Sequence, residues 1–242
     1  MTWLATPFEP FGMTHALIAT LAAAVCLACG VTARAERNKS RRSFADGFAG
    51  VVLGWNLLAN LWWLLPANFK LDTSLPLHVC DLVNLVIPFA IWSRNRFLLA
   101  LSVLWGLGLS TQAFFTPTVD EAPGDMRYWL FWGGHLTAAA GCCVIAGGID
   151  FRPGWKDWGR VLLAGVGVVL ALMWFNHLTG SNYGYVGNAT PSQPTLIDRL
   201  GPWPTRVVWL IVLGSAAQAI VVVLYPLLSV VIGVLARRVG RR

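Results

Sequence analysis

The sequence predicts an all-α polytopic membrane protein, a seven-transmembrane-helix bundle formed by a single integral membrane domain over residues 1–242. Three observations predict it. The chain is 56% hydrophobic and only 12% charged, with a mean hydropathy of +0.61, against about 25% charged residues in an ordinary soluble domain. Seven apolar runs approach or exceed the roughly 20 residues that a helix needs to cross a bilayer. The connections between them alternate between strongly basic and nearly free of basic residues, as topology requires of membrane loops.

The spans fall near residues 11–33, 45–66, 75–92, 97–115, 128–149, 158–178 and 206–236. No Lys or Arg precedes the first run, so it lacks the basic leader of a signal peptide and reads as a span. The second and fourth runs are long and apolar enough to cross. The third opens with Ser74 as its expected N-cap and Pro76 in its first turn, where a missing N–H costs little, and Pro88 should kink it. The fifth and sixth are likewise long and apolar enough to cross. The seventh is too long to stand perpendicular and must tilt, kink near Pro226 or emerge from the membrane. The long loop 179–205 carries Gly, Pro, Asn and Ser, the residues of turns, and its length suits a lid or binding element.

Charge orients the bundle. Arg34, Arg37, Lys39, Arg41, Arg42, Arg94, Arg96, Arg152, Lys156, Arg160, Arg237, Arg238, Arg241 and Arg242 all belong to one side, fourteen of the eighteen basic residues. The positive-inside rule puts that side in the cytoplasm, the N-terminus outside and the C-terminus inside. The net charge of +7 is thus spent on topology, and no nucleic-acid partner is expected. Trp3, Trp62, Trp63, Trp129, Trp132, Trp203 and Trp209 flank the outer interface and Trp92, Trp155 and Trp158 the inner one, as an aromatic belt should. Cys26, Cys29, Cys142 and Cys143 lie inside apolar runs and read as small filler, with no disulfide framework. The location expected is the bacterial cytoplasmic membrane, as a multi-pass protein.

Polar residues within the spans gather towards the outer side. His78, Cys80, Asp81 and Asn84 lie in the third span, and His15, Asn60, Gln112, His135, Asn176 and His177 fall at matching depth on the others. Ionisable groups in hydrocarbon persist where they face a protein interior or a cavity, so one pocket opening outward is expected. A lone His or Asn can instead be interhelical glue, and His78 and Asp81, three apart on one helix, can neutralise each other. By depth, Cys80 lies roughly 8 Å and His135 roughly 10 Å below the outer edge. A thiol beside an imidazole is the arrangement of acyl transfer, with Asp81 or Asn176 available to orient the ring. Arg199 or Arg206 offers a phosphate contact.

The order of short motifs resembles a known family. LPLHVCD over 75–81, Gly106 to Gln112 followed by Thr116 and Pro117, Gly134–His135, Asn176 followed by LTGSNY over 178–183, and LGPWP over 200–204 are similar to segments of the YwaF-like integral membrane family, which includes the animal transmembrane protein 164. The resemblance implies a cysteine-dependent acyltransferase that moves fatty acyl chains between phospholipids, with Cys80 as nucleophile and His135 as its partner. The expected function is therefore an acyltransferase or lipid hydrolase acting on phospholipid acyl chains at the outer leaflet through a Cys80 acyl-thioester. His78, Asp81, Gln112, Asn176, Asn182 and Tyr183 are expected to bind substrate, orient the base or stabilise the oxyanion. No cofactor and no metal are called for. The alternatives are a small-molecule transporter, which needs polar residues through the full depth, and a haem or metal protein using the histidines. A retinal pigment would need a lysine within a span, and Lys39, Lys70 and Lys156 are assigned to loops.

Overall fold

The computed structural model describes residues 3–188 and 196–240. Seven α-helices follow in chain order: α1 (Met13–Asn38), α2 (Ser43–Leu64), α3 (Val79–Ser93), α4 (Arg96–Gly108), α5 (Met126–Gly148), α6 (Trp155–Thr179) and α7 (Thr205–Val239). Among the described residues there is no strand. Six stretches are long and apolar enough to cross a membrane, α4 being counted together with the 3-10 turn Ser110–Phe114 that extends it. The chain is a multi-pass membrane protein. α3, at 15 residues, is the short one.

α5 is the central post and packs against α1, α2, α3, α4 and α7. The reason lies in its composition. From Ala138 to Gly147 every residue is buried, and most are Ala, Gly or Cys. Between helices in lipid there is little hydrophobic drive, so close van der Waals contact must hold them, and small residues permit it. α1 lays Ala22, Cys26, Gly30 and Ala33 along this seam. A Cβ added at Gly147 would collide with the carbonyl oxygen of Gly30, and one added at Gly30 would come within 2.9 Å of the carbonyl oxygen of Cys143. Cys26 and Cys143 meet there as free thiols, in the role of small filler.

The basic end is closed by ion pairs between neighbouring helices. Arg96 at the start of α4 donates from Nε and Nη2 to the two oxygens of Asp157, at 3.0 and 2.7 Å. Asp157 is buried and also accepts the Gly154 N–H at 2.9 Å, capping α6. Arg37 reaches Asp150 at 3.2 Å. α6 begins at Trp155, so Lys156 sits in its first turn rather than in the loop. α7 continues through Pro226 without a break and runs on to Val239, about 50 Å at the usual helical rise. That exceeds a hydrocarbon core of about 30 Å and carries Arg237 and Arg238 beyond it. Arg241 and Arg242 lie outside the described residues.

The opposite end is built from irregular chain. The expected helix start at Ser74 is not found; α3 begins at Val79 and its N-cap is His78. Pro76 disfavours helical geometry at Leu75, and the Leu75 N–H is taken by the Tyr183 hydroxyl at 3.0 Å. Ser74 closes a turn instead, accepting from the Lys70 N–H at 2.8 Å and donating to Asn68 O at 3.3 Å. α4 likewise gives way to a 3-10 turn after Gly108. Segments 65–78, 109–125 and 180–188 thus occupy the end of the bundle opposite the basic one. Non-helical backbone is tolerated at such depth where protein groups satisfy it.

Gly147→Leu should push α1 from α5 and lower stability by about 1–3 kcal/mol or more. Gly47→Ala, where a Cβ meets nothing within 4 Å, should leave the melting temperature unchanged or slightly raised. Thermal unfolding in detergent, followed by tryptophan fluorescence, reads both.

Candidate active site

Cys80 and Asp81 occupy the first turn of α3. The Asp81 carboxylate reaches back to the helix start, where its Oδ2 accepts the His78 N–H at 3.1 Å. Its Oδ1 faces the Cys80 thiol, with an Sγ–Oδ1 distance of 3.9 Å. Of the N–H groups in this turn, that of Asp81 donates to His78 O at 3.0 Å. Those of Val79 and Cys80 have no carbonyl acceptor one turn back, as is usual at a helix start. A cysteine here sits at the positive end of the helix dipole.

Asn84, one turn below Cys80, ties this turn to the rest of the bundle. Its Nδ2 donates to Cys80 O at 3.1 Å and to Gly134 O on α5 at 2.8 Å. Its Oδ1 accepts from Thr137 Oγ1 at 3.0 Å, and its backbone carbonyl accepts from Asn56 Nδ2 on α2 at 3.1 Å. The turn of α3 that carries Cys80 and the turn of α5 that carries His135 are therefore clamped by one carboxamide. No hydrogen bond joins the Cys80 thiol to the His135 ring.

The two histidines on buried faces are in different states. His135 Nδ1 lies 2.7 Å from Phe131 O. A carbonyl only accepts, so Nδ1 carries the proton and Nε2 of the neutral ring keeps its lone pair. His15 accepts the Phe11 N–H on Nδ1 at 3.0 Å and donates from Nε2 to Phe114 O at 3.0 Å. Both its nitrogens are occupied, and it stands among Phe8, Phe11 and Trp132 as a structural link between α1 and the 3-10 turn. His177 is on an exposed face of α6. The single pocket expected from matching depths thus divides, and only part of the cluster surrounds Cys80.

His78 belongs to that part. Its ring lies between Tyr183 and Tyr185, with centroids 5.4 and 5.6 Å away, and is near enough to His135 for the two to interact electrostatically. Tyr185 is close in the same sense to Cys80 and Asp81, and its hydroxyl is paired with Thr118. It is held at φ 60° beside Gly184 at φ 64°, a region that costs a residue with a side chain about 1–2 kcal/mol. Burial pushes both tyrosine phenols above their ordinary range, so they serve as neutral hydroxyls. His78, Cys80, Asp81, His135 and Tyr185 are all half-buried, which leaves the group reachable.

Asn176, Asn182 and Tyr183 build the wall of the site rather than its reacting face. Asn176 donates to Tyr183 O and accepts from Tyr183 N–H, both at 2.9 Å. Asn182 Oδ1 accepts the Gly187 N–H at 2.9 Å. The Tyr183 hydroxyl donates to Leu71 O at 2.8 Å while receiving the Leu75 N–H. Arg206, buried at the start of α7, donates to Gly187 O, and Trp203 Nε1 donates to Val186 O at 3.0 Å. The segment 180–188 is thereby latched over the start of α3. Part of loop 179–205, residues 189–195, lies outside the described residues. Gln112 is elsewhere: it is exposed, donates to Thr116 Oγ1 at 2.9 Å, and borders a groove of about 430 Å³ between α4 and α7.

These latching segments carry the short motifs noted in the sequence, and the comparison with families agrees. A sequence model described as the TMEM164 family matches residues 10–225. The chain belongs to the TMEM164 family. No curated protein and no solved structure matches it significantly. For this TMEM164-family chain, sequence reasoning had named Asn84 without a role and had passed over Thr137 and Tyr185. The spacing of Cys80 and Asn84 by one helical turn, and of Gly134 and Thr137 by three residues, is the signal that points to the clamp.

Asn84→Ala removes three side-chain hydrogen bonds from a buried position. It should lower stability by about 1–2 kcal/mol and loosen the spacing of α3 and α5. Thermal unfolding checks the first, and the cross-linking yield of a cysteine pair engineered across the two helices checks the second.

Proposed function

We propose that this TMEM164-family protein is a membrane-embedded acyltransferase or lipid hydrolase that acts on phospholipid acyl chains through an acyl-thioester on Cys80, with His135 as base. The observation that carries the reading is the pairing of a half-buried cysteine at a helix start with a histidine whose Nε2 is unspent, on two turns joined by Asn84. His15, with both nitrogens occupied, is the contrast that singles out His135.

The chemistry follows in two halves. The Cys80 thiol gives up its proton as its sulfur attacks the ester carbonyl, the C–O bond breaks, and a lysolipid leaves with a proton on its freed oxygen. An acceptor hydroxyl, of a second lipid or of water, then gives its proton to His135 Nε2 and attacks the thioester. Negative charge on the carbonyl oxygen is met by the N–H groups of Val79 and Cys80, since the carboxamides of Asn176 and Asn182 are engaged by the loop backbone. The latched segment 180–188 limits water, which favours transfer over hydrolysis. The excess of basic residues at the other end supports an outer-leaflet site, with the C-terminus in the cytoplasm.

Intact-protein mass spectrometry after incubation with phospholipid vesicles should show one added acyl mass, lost in Cys80→Ser. His135→Ala should slow steady-state turnover about 100-fold or more. An adduct that persists in Cys80→Ser, or turnover at the wild-type rate in both variants, would remove this reading.

A further inference from the structure

We infer that Asp81 accepts the proton of the Cys80 thiol, so that the two halves of the reaction use different bases: Asp81 for the nucleophile and His135 for the acceptor hydroxyl. This rests on the reading of Cys80 as nucleophile. Three observations carry it. The hydrogen-bond partner of the thiol is Asp81 Oδ1, at 3.9 Å, and no such bond reaches His135. Catalytic contacts are often long before substrate binds, so the length does not disqualify the pair. Asp81 is also aimed: Oδ2 is fixed by the His78 N–H at 3.1 Å, which turns Oδ1 to the sulfur. Finally, among the described residues no Lys or Arg forms a salt bridge with Asp81. A helix cap alone needs no carboxylate, since Ser, Thr or Asn accepts the same bond.

The groups facing this pair are His78 before α3, His135 from α5, and Tyr183 and Tyr185 from the segment after α6. None of them is hydrogen-bonded to the thiol. The step balances as follows. The S–H bond breaks and its proton passes to Oδ1 as sulfur bonds to the ester carbon. When the tetrahedral intermediate collapses, the C–O bond breaks and the proton on Asp81 passes to the departing lysolipid oxygen. Asp81 is again a carboxylate, and Cys80 is acylated. In the second half the acceptor proton taken by His135 returns to the sulfur as the thioester bond breaks.

The test compares Asp81→Asn, which keeps an oxygen for the His78 N–H, with wild type in two assays on the full-length protein in detergent. One follows acyl-Cys80 formation from phospholipid by mass spectrometry. The other follows alkylation of Cys80 by iodoacetamide across pH, read on the Cys80 peptide. The expected result is a split. Acylation falls at least about tenfold, while the alkylation profile moves to lower pH, because the thiolate no longer faces a carboxylate. Unchanged acylation, or an alkylation profile that does not move, overturns the inference. His135→Ala gives an independent arm: it should still acquire the acyl mass and stall there, and failure to acquire it would return the thiol proton to His135. If wild type itself gains no acyl mass, the acyltransferase reading fails, while the alkylation arm still reports whether Asp81 governs the thiol.

Discussion

Four hydrogen bonds converge on Asn84, and the arrangement of the bundle around Cys80 depends on them. In a membrane, helices gain little from burying apolar surface against one another, because the lipid is equally apolar. Register between α3 and α5 must then come from close packing and from polar groups that have nowhere else to bond. The Gly and Ala seam of α5 supplies the packing, including Gly141, where a Cβ would come within 2.9 Å of Ile87 on α3. Asn84 supplies the register by bonding Cys80 O, Gly134 O and Thr137 at once. Sliding either helix by one turn would strand the two groups on α5, Gly134 O and Thr137 Oγ1, so this carboxamide fixes which residue of α5 stands beside which residue of α3.

The same constraint explains why α3 is short. A helix that began at Ser74 would bury Cys80 one and a half turns deep, with its neighbouring N–H groups consumed by the helix. Starting at Val79 leaves the N–H groups of Val79 and Cys80 without a carbonyl partner. The cost is a stretch of non-helical backbone over 65–78 that needs partners. Tyr183 provides them with one hydroxyl, donating to Leu71 O and accepting from Leu75 N–H. Asn176 holds Tyr183 in turn from both sides of its peptide backbone. The motif residues of the sixth helix and the following loop therefore act on Cys80 at one remove, by keeping the start of its helix open.

Much of the fold was legible because hydropathy and charge are summed over many residues. All seven helices match the expected spans to within a few residues at most ends, since a run of twenty apolar side chains leaves little choice in lipid. What was not legible was local competition. Ser74 and Pro76 have the composition of a helix start, yet the hydroxyl of a residue more than a hundred positions away claims the Leu75 N–H. Matching depth also overstated the cluster. Depth is one coordinate, and the face that a side chain takes is another. His177 shares the depth of His135 but looks outward, and Gln112 turns to Thr116 and the α4–α7 groove. Cys80, Asp81 and His78 were found together because adjacency in sequence fixes both coordinates.

Two histidines that the sequence puts at matching depth end as opposite tautomers, and the difference lies in a few backbone groups. His15 is near the start of α1, where the chain folds back so that the Phe11 N–H meets Nδ1; Nε2 must then carry the proton, and Phe114 O receives it. His135 lies well inside α5, where the nearest backbone group is a carbonyl one turn earlier. That carbonyl forces the proton onto Nδ1 and leaves Nε2 as an acceptor. Position within a helix has thus decided tautomer, and tautomer decides which ring can take a proton. The same logic applies to the carboxylate. Asp81 at the third position of α3 is bound by one oxygen to the helix start, so only the other is left to face the thiol.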